Sequence, residues 1–202
     1  MWSHVCGKLL QTQKYWPITL NLPIDWRSIT YEIEMLSSEK QKKIVVLGAL
    51  SGIAKEAIDR WAGGDVRFAL AGRDGVALAL LEKELSNRVS FVGTWVSDFV
   101  ESDPAEIMDE MVSSIGGVDI ILLAYGVLGD QEIAEVNLKE AAHMIATNYT
   151  SAVMWCLTAA SILEKQKKGT LIVIGSVAGD RGRASNYVYG STKGGLAVFV
   201  QG

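Results

Sequence analysis

From Lys43 onward the chain alternates between two kinds of block. Short runs of β-branched or continuously apolar residues fall at Ile44–Leu47, Val66–Ala71, Ser90–Val96, Val118–Ala124 and Thr170–Ile174. Runs of this length bounded by turn residues predict strands, and the unbroken apolar fourth run predicts a strand covered on both faces. Between them lie stretches with helical spacing: one through Trp61, one near Val76–Leu85, and one near Pro104–Ile115, where proline suits the first turn. A long uncharged stretch between Glu140 and Glu164 and a segment from about Tyr187 to Gly202 complete the set. Strand and helix repeating at this interval predict an α/β fold, a doubly wound parallel sheet in three layers with right-handed crossovers.

Residues 1–34 break the pattern. Three of the six tryptophans (Trp2, Trp16, Trp26) and two of the three prolines (Pro17, Pro23) lie there, without sustained periodicity. We expect this stretch to be an extension outside the fold and residues 35–202 to form the domain. Composition narrows the function classes. Hydrophobic residues make up 49% of the 202 and charged residues 21%, enough to bury a core. A net charge of −4 carries no basic excess, which argues against a nucleic-acid partner. Cys6 and Cys156 have no metal-ligand spacing and suggest no disulfide framework. A reducing, cytoplasmic location fits, and the N-terminus lacks the apolar core of a signal peptide. The 23 residues between Glu140 and Glu164 could reach across a bilayer, but His143, Thr147, Asn148, Thr150, Ser151, Thr158 and Ser161 interrupt them. A helix buried against protein, not a membrane span, is the expected outcome.

Two places carry chemistry. The first strand runs into Gly48-Ala-Leu-Ser-Gly52-Ile-Ala54 and then a helix. Glycines there permit a tight turn, let the backbone approach a pyrophosphate, and present amides and the positive helix end to it. The turn therefore predicts nucleotide binding through Gly48, Leu50, Ser51, Gly52 and Ile53. After the second strand, Gly72 stands where an NAD site places an acidic side chain, and Arg73 follows, which favours NADP(H) over NAD(H). The second place follows the fifth strand: Ser176, then Tyr189 thirteen residues on, then Lys193 four later. Four residues on a helix share a face, so the Lys193 ammonium is expected beside the Tyr189 phenol, lowering its pKa towards acid–base use. Ser176 lies at a strand's carboxyl end, where open α/β sheets gather ligands. His143 and His4 have no partner at ligand spacing, no metal is expected, and Cys156 reads as a small core residue.

At these residues the sequence resembles the short-chain dehydrogenase/reductase family, in its single-domain, Rossmann-like branch. Gly48, Gly52 and Ala54 are similar to its cofactor turn, and Ser176, Tyr189 and Lys193 match its serine, tyrosine and lysine. The resemblance implies an NAD(P)-dependent alcohol–carbonyl oxidoreductase in which Tyr189 exchanges the proton and Ser176 orients the reacting oxygen. It makes Lys193 the ribose ligand and Asn148 the residue that holds a relay water. It also puts Asp98 against the adenine, makes Ala124 and Gly126 further cofactor contacts, and implies a homodimer or homotetramer. Where the family often reads Asn-Asn-Ala-Gly, this chain has Leu123-Ala-Tyr-Gly126, which puts the usual loop-stabilising hydrogen bonds in doubt. With Gly179–Gly190, that departure is similar to the subgroup of decaprenylphosphoryl-ribose epimerase reductases, which act on a keto sugar carried by a polyprenyl phosphate. Family members normally continue past the tyrosine helix into further strands and a substrate cap. A fragment of a longer product is therefore expected, one that binds nucleotide weakly and turns over little. The competing readings are a non-catalytic nucleotide-binding module and a sugar-nucleotide epimerase of the extended branch. The three-residue gap between Gly48 and Gly52 opposes the latter.

Overall fold

The computed structural model describes residues 41–202; the expected extension over residues 1–34 and Cys6 lie outside them. Five strands form, β1 (Lys42–Leu47), β2 (Val66–Gly72), β3 (Phe91–Val96), β4 (Ile120–Leu123) and β5 (Thr170–Val173). They pair in parallel in the order β3-β2-β1-β4-β5. The chain winds one way from β1 and then back to its other side at β4. The crossovers therefore leave a crevice at the carboxyl ends of β1 and β4, where such sheets bind ligands.

Strand alternation explains the three layers. Val45 and Leu47 stand opposite Ala69 and Ala71 on β2 and Ile121 and Leu123 on β4. These face one core with Met108, Met111 and Ile115 of α3 (Pro104–Ile115) and Trp155, Cys156 and Ala159 of α6 (Ala152–Gln166). The intervening Ile44, Val46, Phe68, Leu70, Ile120 and Leu122 face a second core. Ala54, Ile58 and Trp61 of α1 (Gly52–Trp61) and Leu78, Leu81 and Leu85 of α2 (Gly75–Leu85) close that core. Full burial of one such side chain is worth about 1.5–3 kcal/mol, so central strands need apolar residues at every position. Pro104 stands in the first turn of α3, as the sequence predicts, and Asp103 caps that helix.

The region after β4 departs from expectation. A short helix, α4 (Gln131–Val136), forms first, its amides capped by the Asp130 carboxylate. The long helix expected next runs without a break and consists of α5 (Leu138–Ile145), a π-helical turn at Ala146–Ser151, and α6. Side-chain hydrogen bonds gather at the π-helical turn. The Ser151 hydroxyl donates to the Thr147 carbonyl at 2.9 Å, and Asn148 is held by the backbone of Val127 on the neighbouring loop. β4 also starts later than the apolar run suggests. The Gln166 side-chain amide takes both backbone groups of Val118, at 3.1 and 3.0 Å, and keeps that residue off the ladder. No helix among the described residues is long and apolar enough to cross a membrane. The last helix, α7 (Tyr187–Gln201), packs Leu196 into the first core.

Candidate active site

A cleft of about 310 Å³ opens at the carboxyl ends of the strands. Its floor is the turn after β1. Gly48 has φ +86°, and a Cβ there would lie 2.7 Å from Tyr125 Cβ, so any other residue would be both strained and blocked. Ser51 caps α1 by accepting from the Ala54 amide at 3.2 Å, which leaves Gly52 and Ile53 as first-turn amides without an intrahelical acceptor. A Cβ on Gly52 would meet nothing within 4 Å, so the space over this turn is open.

Of the residues expected to hold a cofactor, Gly48, Leu50, Ser51, Arg73, Asp98 and Gly126 line the cleft. Gly52 and Ile53 start α1 beside it, and Ala124 is buried in the second core beneath it. Neither carboxylate at the rim is idle. Asp74 caps α2 through the Ala77 amide at 3.0 Å, and Asp98 accepts from the Val100 amide at 2.9 Å. Arg73 is exposed and forms no ion pair among the described residues. Tyr125, His143 and Thr147 line the cleft too, although the sequence gave them no role there. The signal that could have found the last two was their spacing of four residues just ahead of Asn148.

The reactive-residue candidates gather on the other side of Gly126. Ser176 follows β5, and its hydroxyl accepts from the Ala178 amide at 3.2 Å, opening a 3₁₀ turn at Val177–Gly179. Three glycines let α7 lie directly on that turn. A Cβ would lie 2.7 Å from the Gly194 nitrogen if added to Gly179, and 2.6 Å from the Ala178 carbonyl if added to Gly190; on Gly194 it would lie 2.9 Å from the Gly179 carbonyl. Backbone contact at that range is possible only without side chains, and it brings the Ser176 turn against the helix carrying Tyr189 and Lys193. Lys193 is 4% exposed, and its Nζ donates to the Ile174 carbonyl at 3.1 Å. Burial holds its ammonium below the ordinary lysine range. The sequence puts this ammonium beside Tyr189, one turn earlier on α7; the partner observed is the end of β5.

Asn148 is 1% exposed in the π-helical turn. Its Oδ1 accepts from the Val127 amide at 2.8 Å and its Nδ2 donates to the Val127 carbonyl at 2.7 Å. A Cβ on Gly126 would lie 2.8 Å from Asn148 Oδ1 and 3.7 Å from Lys193 Nζ, so both side chains end beside that glycine.

Tyr125 supplies the anchoring that the missing asparagines leave in doubt. Its ring stacks on Phe99 at 4.2 Å and 13°, and Phe99 meets Trp155 edge-on at 5.1 Å. Its hydroxyl shares a 3.0 Å hydrogen bond with Ser151 Oγ, tying the β4 loop to the π-helical turn. Burial pushes the phenol above its ordinary pKa, so it remains a neutral hydrogen-bonding group. Cys156 lies in the core below, its thiol pushed up to about 12 by burial. That is an inert position.

The sequence profile of the short chain dehydrogenases matches residues 42–202. The chain belongs to the short chain dehydrogenase family. A family relative, an uncharacterised oxidoreductase of Streptomyces coelicolor, is 34% identical over 167 residues, 82% of this chain and 66% of the relative. Another, an uncharacterised oxidoreductase of Mycobacterium tuberculosis, is 33% identical over 162 residues, 79% of this chain and 64% of the relative. The chain thus spans just under two thirds of the length of these relatives. Among solved structures of the same fold, an NAD⁺-bound xylitol dehydrogenase superposes with a TM-score of 0.72 at 22% identity, covering 80% of this chain and 63% of that one.

Proposed function

We propose that the chain carries the nucleotide-binding and proton-transfer machinery of an oxidoreductase that interconverts an alcohol and a ketone or aldehyde with NADP(H). One observation supports the reading above the others: Asn148 and Lys193 both end beside Gly126, which lines the cleft that the glycine turn begins. The residues fit a dinucleotide. Gly48 leaves its Cβ space to Tyr125, and Gly52 opens onto empty space. The nicotinamide, when bound, supplies the hydride chemistry.

The protein's own groups do the rest. The first-turn amides of α1, with Gly48, Leu50 and Ser51, receive the pyrophosphate. Arg73 pairs with a 2′-phosphate, while Asp74 beside it uses Oδ1 to cap α2. Asp98 contacts the adenine, and Ala124 and Gly126 shape the floor. Lys193 binds the nicotinamide ribose. Tyr189 then gives the proton to the substrate oxygen, or takes it in the reverse direction, while the Ser176 hydroxyl orients that oxygen. Asn148, held rigid by Val127, keeps the water that refills Tyr189. The subgroup resemblance favours a keto sugar, free or lipid-linked, as substrate. A homodimer or homotetramer in the cytoplasm completes the proposal. Ile145, Tyr149, Met154 and Leu157 form an exposed face without formal charge along α5 and α6, suited to a second copy.

Titration with NADPH and NADH, followed by nicotinamide fluorescence and then by addition of 2-keto sugars, tests this. Saturable binding that favours NADPH is expected, unchanged in Tyr189→Phe, with nucleotide oxidation lost in that variant. Absence of binding, or oxidation that survives Tyr189→Phe, overturns it. Sedimentation as a monomer alone removes the oligomer.

A further inference from the structure

We infer that Gln131 is a positioning residue for Tyr189: from α4 it caps the first turn of α7 and so sets the place of the phenol. This rests on the oxidoreductase reading above and gives a role to a residue outside both the glycine turn and the serine, tyrosine and lysine set. A helix leaves its first amides without intrahelical acceptors, and the residue just before it ordinarily supplies one from its side chain. In α7 that residue is Asn186, which makes no capping bond. Its Oδ1 is buried and unpaired among the described residues. The acceptor comes instead from Gln131, 57 residues back, whose Oε1 takes the Val188 amide at 3.0 Å. Val188 directly precedes Tyr189, so the cap fixes the turn on which the phenol is mounted.

The neighbours of Gln131 fix which way its amide points. Glu135, one turn further along α4, accepts from Gln131 Nε2 at 3.3 Å. A carboxylate only accepts, so the amide nitrogen faces Glu135 and the oxygen is left for Val188. The Tyr187 hydroxyl bonds to Glu135 and to Gln131, closing the contact between the two helices. The loop from β4 places α4 in turn. Asn148 holds both backbone groups of Val127, and Gly129, with φ +64°, passes so near α5 that a Cβ there would lie 2.5 Å from Met144 Sδ. Asp130 then caps α4. Gly126 on the cleft floor is thereby tied, five residues later, to the first turn of the helix that carries Tyr189. Of the residues of α4 only Ala134 is buried, while Ile133 and Val136 stand exposed. The helix adds little to the core, so its contact with α7 is the larger part of what it does.

The test follows NADPH oxidation with 2-keto sugars (D-fructose and D-xylulose) and amide exchange at Val188. It compares the wild-type chain with Gln131→Met and with the exchanged pair Gln131→Glu/Glu135→Gln. Methionine keeps the length and removes the acceptor, whereas the exchanged pair restores an acceptor at 131 and a donor at 135. In Gln131→Met, kcat should fall about tenfold, and exchange at Val188 should quicken by about the same factor. KM and NADPH affinity should stay within about twofold of wild type, because the cap touches neither ligand. The exchanged pair should recover most of both losses. Unchanged exchange at Val188 in Gln131→Met overturns the cap. Faster exchange with an unchanged kcat overturns the positioning role and leaves Gln131 a structural contact. A fall in kcat that persists after the exchanged pair has restored Val188 protection overturns it as well. A wild-type chain that binds NADPH but never oxidises it overturns the oxidoreductase reading and this role together.

Discussion

The two sides of Gly126 are built on opposite plans. On the cleft side, polar groups are tied to their own turns: Ser51 to Ala54, Asp74 to Ala77 and Asp98 to Val100, none more than three residues apart. Arg73 and His143 stand exposed there. On the other side, Ser176 still bonds within its own turn, but the buried side chains find partners far along the chain. Asn148 holds Val127, 21 residues away, and Lys193 holds Ile174, 19 away, while Tyr125 reaches from the cleft to Ser151, 26 away. Glycines there are pinned by backbone rather than by open space. One half can change its side chains with little effect on the fold, whereas the other sets its reactive groups by the same contacts that hold α7 to the sheet.

The sharpest way to break this contrast is at the interlocked glycines. Gly190→Ala puts a methyl 2.6 Å from the Ala178 carbonyl, and neither backbone can give. We expect a loss of about 3 kcal/mol in urea unfolding, with nucleotide binding at the cleft weakened less than stability. Retention of wild-type stability would mean that α7 is free to shift off the Ser176 turn. Next in size is Asn148→Ala, which leaves both half-buried backbone groups of Val127 without their side-chain partner. About 2 kcal/mol is expected, and amide exchange at Val127 should quicken while that at Ala77 does not.

Tyr125→Phe keeps the Phe99 stack and removes only the hydroxyl bond to Ser151, so about 1 kcal/mol is expected. Adding Ser151→Ala to that variant should cost little more; an additive double variant would show that the two hydroxyls act independently. Smallest in stability is Arg73→Glu, within about 0.5 kcal/mol of wild type by thermal unfolding. Its expected effect is on ligand choice, with NADPH binding weakened about tenfold and NADH binding retained. A stability loss at Arg73 as large as that at Asn148 would erase the distinction between the halves.

Short-range order is where sequence reading succeeded. Apolar runs, three of them closed by glycine, located all five strands, because alternation and turn chemistry act over a few residues. The glycine turn was legible for the same reason: Gly48 and Gly52 work through local backbone, and four of the five expected turn and rim side chains, Leu50, Ser51, Arg73 and Asp98 but not Ile53, line the cleft. Even α4 carried a local mark in Asp130, a capping residue that its short helix made easy to pass over.

What the sequence determined by itself, then, is the parallel α/β frame and the glycine turn that opens α1, and it named the candidates for chemistry. Tertiary structure decided how those residues are held. Asn148 in the π-helical turn is held by the Val127 backbone, and Lys193 donates to Ile174 from a helix that rests on the Ser176 turn through glycines. His143 reaches the cleft because α5 follows a strand on the far side of β1. Periodicity carries no information about a partner twenty residues away, so only the folded chain could supply these contacts.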